Sequence, residues 1–182
     1  MHGVITKKVS NMKQRYLYLI IGAILGFVTG LMSPMVHGSD ENGETVCLAK
    51  NIYFEAGNQP LAGKVAVAQV VMNRVKDTRY PNTVCDVVKQ GDTYKWKPDF
   101  PIKNRCQFSW YCDGKSDKPK EHQAWRTAMH IANGVYNGHL DDFVEGATHY
   151  HAHYVNPSWA DTKTYVTRID DHIFYRWEIK DE

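Results

Sequence analysis

Apolar positions recur at helical spacing along three stretches of the chain and alternate along the last third. In Glu44–Gly57 (ETVCLAKNIYFEAG), Leu48, Ile52 and Glu55 fall at i, i+4 and i+7. The spacing puts them on one face of a helix of about four turns. Gly57 stands where helices commonly stop in a left-handed turn. Pro60 then opens a second helix, as proline prefers. Leu61, Val65, Ala68, Met72 and Val75 make its stripe, thickened by Ala62, Ala66 and Val70, so a long and largely buried helix is expected to about Val75. Thr78–Pro81 breaks it, and Asn82 is expected to cap a short helix, Thr83–Lys89. Gly91–Arg105 is polar, carries Pro98 and Pro101, and reads as a long loop or irregular hairpin of the kind that walls a cleft. A third long helix is expected over Pro119–Asn137, with Trp125, Ala128, Met129, Ala132 and Val135 inward and Gly138 closing it. Thr148–Val155, Thr164–Ile169 and His172–Trp177 read as strands, with Asp170-Asp171 as a hairpin turn. The fold class is α+β: a helical body with a small antiparallel sheet near the C-terminus.

The N-terminal part is expected to lie outside this fold. Lys7, Lys8, Lys13 and Arg15 precede Tyr16–Met32, which has no charged residue, and Val36-His37-Gly38 offers a cleavage site. Residues 1–38 read as a signal peptide or, uncleaved, as a membrane anchor through residues 16–32. Either form exports the rest, to the periplasm or beyond the cell. Gly22, Gly26 and Gly30 lower the hydrophobicity of the segment or give it a packing face, and Gly-rich segments of this kind also occur in phage lysins released from the membrane. Residues 39–45 then form a linker and 46–182 the domain.

Export gives the cysteines meaning. Cys47, Cys85, Cys106 and Cys112 all follow the leader, and an even number in an oxidising compartment implies two disulfides. Three pairings are open, and closeness in sequence favours Cys106–Cys112 with Cys47–Cys85. No C-x-x-C pair is present, which argues against cysteine-held zinc. A net charge of +2 with 23% charged residues excludes both a disordered tail and a strong nucleic-acid binder. Five Trp and eleven Tyr suit a cleft that stacks on sugar rings, and suit an ordinary core equally well.

Glu55 is the residue that breaks its pattern. A carboxylate on an apolar face costs several kcal/mol unless paired, and the helix C-terminus opposes its charge. Both effects favour the protonated form, the state of a general acid. The rival reading is a solvated surface Glu in a last turn. No second carboxylate stands beside a motif; Asp86, Asp92, Asp113 and Asp142 are candidates without a clear case.

Five runs carry a family resemblance: LAKNIYFEAGNQPLAGKVAVAQVVMNRV, RYPNTVCDVV, CQFSWYCDG, ATHYHAHYVNPSWA and HIFYRW. Each alone is weak; together and in order, from Cys47 to Trp177, the chain resembles the spore cortex-lytic (SleB-like) cell wall hydrolases. The resemblance implies a lysozyme-like lytic fold, peptidoglycan as partner and substrate, and glycan-strand cleavage without cofactor or metal. It implies that Glu55, in Tyr53-Phe54-Glu55-Ala56, is the catalytic acid. A single Glu suffices where the muramic 6-hydroxyl attacks the anomeric carbon, as in a lytic transglycosylase. Where the family often has Arg-Gly-Glu after this motif, the chain has Gly57-Asn58-Gln59, which concerns the following loop.

Gln107, Phe108 and Ser109, held between two cysteines, are candidates for sugar contacts, as are Tyr150 and His151; Phe108 and Trp110 fit a core equally well. His149, His151 and His153 alternate, so a strand would face them one way, with His172 on a neighbouring strand. That is the pattern of a zinc site, and a zinc amidase cutting the peptide stem is the alternative activity. A non-catalytic wall-binding module is the third class; it explains the aromatics but not Glu55. A monomer is expected, with no nucleic-acid partner and membrane contact only through the N-terminal segment.

Overall fold

The computed structural model of the chain describes residues 43–178. The leader expected at 1–38 and the start of the linker lie outside the described residues. Among these there are four α-helices: α1 (Glu44–Ala56), α2 (Leu61–Lys76), α3 (Val84–Lys89) and α4 (His122–Tyr136). Strands β1 (Gly91–Tyr94) and β2 (Lys97–Cys106) form an irregular antiparallel hairpin. Strands β3 (His149–Ala152), β4 (Thr164–Ile169) and β5 (His172–Arg176) form an antiparallel sheet in the order β3-β5-β4. This is the α+β architecture that the patterning predicts. No helix among the described residues is long and apolar enough to cross a membrane.

α2 is the centre of the domain because it is apolar nearly all round, the mark of a buried helix. Val65, Ala68 and Val71 join Leu48 and Ile52 of α1, Val87 of α3 and Ile131 of α4 in one cluster. Ala66 and Val70 join Val144, Ala147 and Phe174 in a second, under the sheet. Leu61 departs from the expected buried stripe and is 66% exposed. At the start of α2 the stripe faces an open apolar depression of about 700 Å³, lined also by Ile131, Leu140 and Phe143.

The helix ends differ from expectation in detail. Gly57 stays helical, with φ −57° and ψ −33°, and does not make the left-handed stop. Its lack of a side chain serves close approach, since a Cβ there would run into the Tyr53 carbonyl oxygen. Thr83 rather than Asn82 caps α3: its hydroxyl accepts from the Asp86 N–H at 3.1 Å. α4 begins at His122 because Glu121 caps it, accepting from the Gln123 N–H at 2.9 Å. Gly138, with φ 70°, closes that helix as expected.

Asp170-Asp171 forms the β4–β5 turn, with Asp170 at φ 51°. The turn docks on the first turn of α2. Asp170 Oδ2 accepts from the Gly63 N–H at 3.0 Å. Gln59 Nε2 donates to Asp171 Oδ2 at 3.1 Å, and Gln59 Oε1 accepts from the Asp171 N–H at 3.3 Å. Carboxylates over a helix N-terminus also suit its dipole. The loop after the Glu55 helix therefore binds the sheet to the helical body, and the amide of Gln59 donates where a Glu could only accept.

Both disulfides are present, Cys47–Cys85 and Cys106–Cys112, in the pairing that adjacency favours. The first ties α1 to α3, where Glu44 Oε2 also accepts from the Val84 N–H at 2.5 Å. Replacing Cys47 and Cys85 together by Ala should lower unfolding stability by about 2–5 kcal/mol, as read by urea titration. A peptide map without reduction should recover Cys47 with Cys85 and Cys106 with Cys112. Free thiols or crossed pairs in protein from an oxidising compartment would contradict the framework.

Candidate active site

The Tyr53-Phe54-Glu55 run places three side chains in three directions, as successive helical residues must. The Tyr53 hydroxyl accepts from the Lys120 and Glu121 N–H groups, both at 3.1 Å, and so fixes the approach to α4. Phe54 stacks on Trp110, ring centroids 4.8 Å apart, while Trp110 Nε1 donates to the buried Asn51 Oδ1 at 3.1 Å. Glu55 points to the sheet, where the Tyr150 hydroxyl donates to its Oε2 at 3.1 Å. The carboxyl is partly buried and so remains open to a ligand.

Under this pair lies Arg74, from the body of α2, only 5% exposed. Its Nε donates to the Thr148 carbonyl at 2.7 Å, and its guanidinium lies 5.1 Å from the ring centroid of Phe108 and 5.3 Å from that of Tyr80. Its Nη1 has no protein partner. Sequence reasoning missed Arg74. The available signal was a guanidinium inside the otherwise apolar run VVMNRV of a buried helix.

Burial holds the Glu55 carboxyl above its ordinary value; the Tyr150 hydrogen bond and the Arg74 charge pull the other way without cancelling it. The position in the last turn of α1 adds to the disfavour of charge. Burial, then the charge of Glu55, push the Tyr150 phenol well above its usual range, so it stays a donor. Burial thus disfavours the charged carboxyl, while the Tyr150 hydroxyl and the Arg74 cation are placed to stabilise its anion.

The other candidates separate. Gln107 and Ser109 are exposed, and Ser109 borders a depression of about 460 Å³ together with Phe54, Trp110 and Asp117. Phe108 is 2% exposed and cannot offer its ring to a sugar; it packs in the core over Arg74. His151 is not brought to Glu55. Strand alternation sends Tyr150 and His151 to opposite faces, and His151 Nε2 instead meets the Tyr175 hydroxyl at 3.1 Å beside Trp159. The four aspartates are engaged elsewhere: Asp86 at the α3 cap, Asp92 with Arg105, Asp113 with Lys115, and Asp142 with Asn73.

The histidines do not converge. His149 bonds the Thr148 hydroxyl and packs against Trp159 and Trp177, and His153 lies beside Asp171. His172 is opposite Ala152 in the ladder, hence on the Tyr150 face, away from the other three. Among the described residues no group of three His, Cys, Asp or Glu side chains is disposed to hold a metal ion.

A mixed α+β domain thus brings one partly buried carboxyl, a phenol donor and a buried cation together. The chain belongs to the cell wall hydrolase family, whose model matches residues 58–175. Glu55 lies just ahead of that match. A spore cortex-lytic enzyme of Halalkalibacterium halodurans is 28% identical over 132 residues, 70% of this chain and 33% of that protein. The chain thus spans about a third of that relative's length. The catalytic domain of the Bacillus cereus SleB protein is similar in structure, with a TM-score of 0.52 and 26% identity over 74% of this chain and 94% of that one. The catalytic domain of the germination-specific lytic transglycosylase SleB from Bacillus anthracis gives a TM-score of 0.55 and 25% identity, covering 77% of this chain and 98% of that one.

Burial, followed by the charges of Arg74, Lys163 and Arg79, pushes His149 down to about 4. An unfolded chain would protonate this imidazole near 6.5. The folded state therefore holds fewer protons across that window, and the stability His149 contributes above pH 6.5 is lost as pH falls through about 4. Denaturant unfolding of wild type and His149→Gln across this range should show a smaller acid loss in the variant. Equal slopes would rule the imidazole out as its source.

Proposed function

We propose that the domain cuts the glycan strands of peptidoglycan by a lytic transglycosylase mechanism, with Glu55 as general acid and then as base. One observation carries the reading: a partly exposed carboxyl whose charged form is disfavoured by burial, hydrogen-bonded by Tyr150 and close to the Arg74 charge. The resemblance to the lytic transglycosylase domain of known structure supports it.

Glu55 gives its proton to the glycosidic oxygen as the bond from that oxygen to the anomeric carbon breaks. The carboxylate left behind is stabilised by the Tyr150 hydroxyl and the Arg74 cation, which suits a transition state richer in charge than the ground state. The muramic 6-hydroxyl then closes on the anomeric carbon and its proton passes to Glu55. The product is a 1,6-anhydro end, and the acid is regenerated. Gln107 and Ser109 are the exposed groups of the loop that we assign to substrate contact. Phe108 supports the site by packing its ring against the Arg74 guanidinium.

We further propose that residues 1–38 export the domain as a leader or an anchor, and that it acts as a monomer outside the cytoplasm. The two disulfides support an oxidising compartment.

Glu55→Gln should leave a folded protein with turnover reduced by about 10²–10⁴-fold or more, since general acid catalysis alone has that worth and the group serves twice. Mass spectrometry of digested peptidoglycan should find 1,6-anhydro ends with wild type and none with the variant. Near wild-type lysis by Glu55→Gln would remove the residue from the mechanism. Released stem peptides would point to an amidase, and reducing ends to hydrolysis. EDTA should leave lysis intact. Loss on chelation with recovery on zinc would return the histidines to the site.

A further inference from the structure

The β1–β2 hairpin is a conspicuous part of the domain that the cleavage site leaves unused. Beyond its root it packs on nothing: every residue from Asp92 to Phe100 is exposed. A two-stranded ribbon with both faces in water is marginal by itself. This one also carries large apolar groups outward. Trp96 at the tip is 79% exposed, Phe100 53% and Tyr94 37%. The Tyr94 and Trp96 rings lie 5.4 Å apart, and Lys97 Nζ stands 3.6 Å from the Phe100 ring centroid. From Lys89 to Arg105 there are five lysines and arginines against two aspartates, a local charge of +3 where the whole chain has +2. Exposed aromatics set among cations mark an interaction surface for an anionic partner with flat apolar faces.

The root of the hairpin is continuous with the candidate site. β2 ends at Cys106, which is bridged to Cys112, and the Gln107 N–H donates to the Gln90 carbonyl at 2.9 Å. The turn enclosed by that bridge carries Ser109 and Trp110, and Trp110 stacks on Phe54, next to Glu55.

We propose that the hairpin is a second binding site, an arm that holds the peptidoglycan polymer outside the cleavage cleft. The rings of Tyr94, Trp96 and Phe100 take sugar faces, and Lys95, Lys97 and Lys103 take the carboxylates of peptide stems. The assignment rests on the reading of the domain as a peptidoglycan-cleaving enzyme. An anionic membrane surface offers related chemistry. Two features favour the wall polymer. The arm is joined directly to the disulfide loop whose Trp110 packs on Phe54, the neighbour of Glu55 in α1. The rings and the cations also stand together around the tip, which suits a polymer whose sugar faces carry charged peptide stems.

The test uses the full chain carrying Glu55→Gln, so that binding is read without cleavage. Co-sedimentation with purified sacculi is compared with co-sedimentation with phosphatidylglycerol vesicles. Three versions are measured: this parent, the parent with Trp96→Ala, and the parent with Lys95→Gln and Lys97→Gln. Each change is at an exposed tip, and equal melting temperatures check the fold. Either change should weaken sacculus binding by about tenfold, and added salt should weaken the parent more than the lysine variant. Sacculus binding unchanged in both variants overturns the proposal. Loss confined to the vesicles overturns it in favour of a membrane contact. The cleavage reading fails separately: wild type that forms no 1,6-anhydro ends, with hairpin-dependent sedimentation intact, would sink the chemistry and leave the arm.

Discussion

The structure depends most on a cation held where water cannot reach it. Arg74 is buried in the body of α2, with Phe108 and Tyr80 against its guanidinium and the Thr148 carbonyl on its Nε. A buried charge is expensive unless its surroundings answer it. Here the answer comes from separate parts of the chain: Thr148 and Tyr150 from the β3 segment, Phe108 from the disulfide loop, Glu55 from α1. Each of these must arrive in place for the guanidinium to be tolerated. Folding the domain and assembling its site are therefore largely the same event.

What keeps the sheet in register with the helices is a set of polar contacts at the other end of α2. The β4–β5 turn is bonded through Asp170 to Gly63 and through Asp171 to Gln59. β5 lies between β3 and β4, so this anchor reaches β3 through the central strand. Tyr150 on β3 packs against both apolar clusters and delivers its hydroxyl to Glu55. A sheet this small has little apolar area of its own. It holds the phenol in position because both its turn and its inner face are fastened to α2.

The periodic elements were legible in the sequence because their signals are local. Helix stripes, the three C-terminal strands and the Asp170-Asp171 turn all follow from spacing and turn chemistry. The odd carboxylate in α1 was legible for the same reason, as a charge on an apolar face. Arg74 was passed over because its meaning is tertiary: nothing nearby in sequence says that Thr148, Phe108 and Glu55 will surround it. Phe108 could be read either as core or as a sugar platform, and only the position of Arg74 decides. The separation of Tyr150 from His151 was available from strand period alone, since neighbours on a strand face opposite ways. The left-handed stop expected at Gly57 failed because a glycine can be required for want of space rather than for its φ.

Under the proposed mechanism a single carboxyl acts as acid and then as base; such a group faces opposed demands, and opposed forces act on Glu55. Burial alone would give a good reservoir of protons and a poor donor, because the anion would be left unanswered. Arg74 close by in full strength would give a comfortable anion that never regains its proton. Burial is the larger effect on Glu55, the Tyr150 hydrogen bond comes next and the Arg74 charge after it. Arg74 is also shared: it spends its Nε on Thr148 and lies against two aromatic faces. Burial thereby shifts the carboxyl toward its neutral form, while two groups are placed to stabilise the ionised one. A second carboxylate would raise the cost of that ionised form further by like-charge repulsion. Under the proposed mechanism, one acid rather than two suits the electrostatics as well as the chemistry.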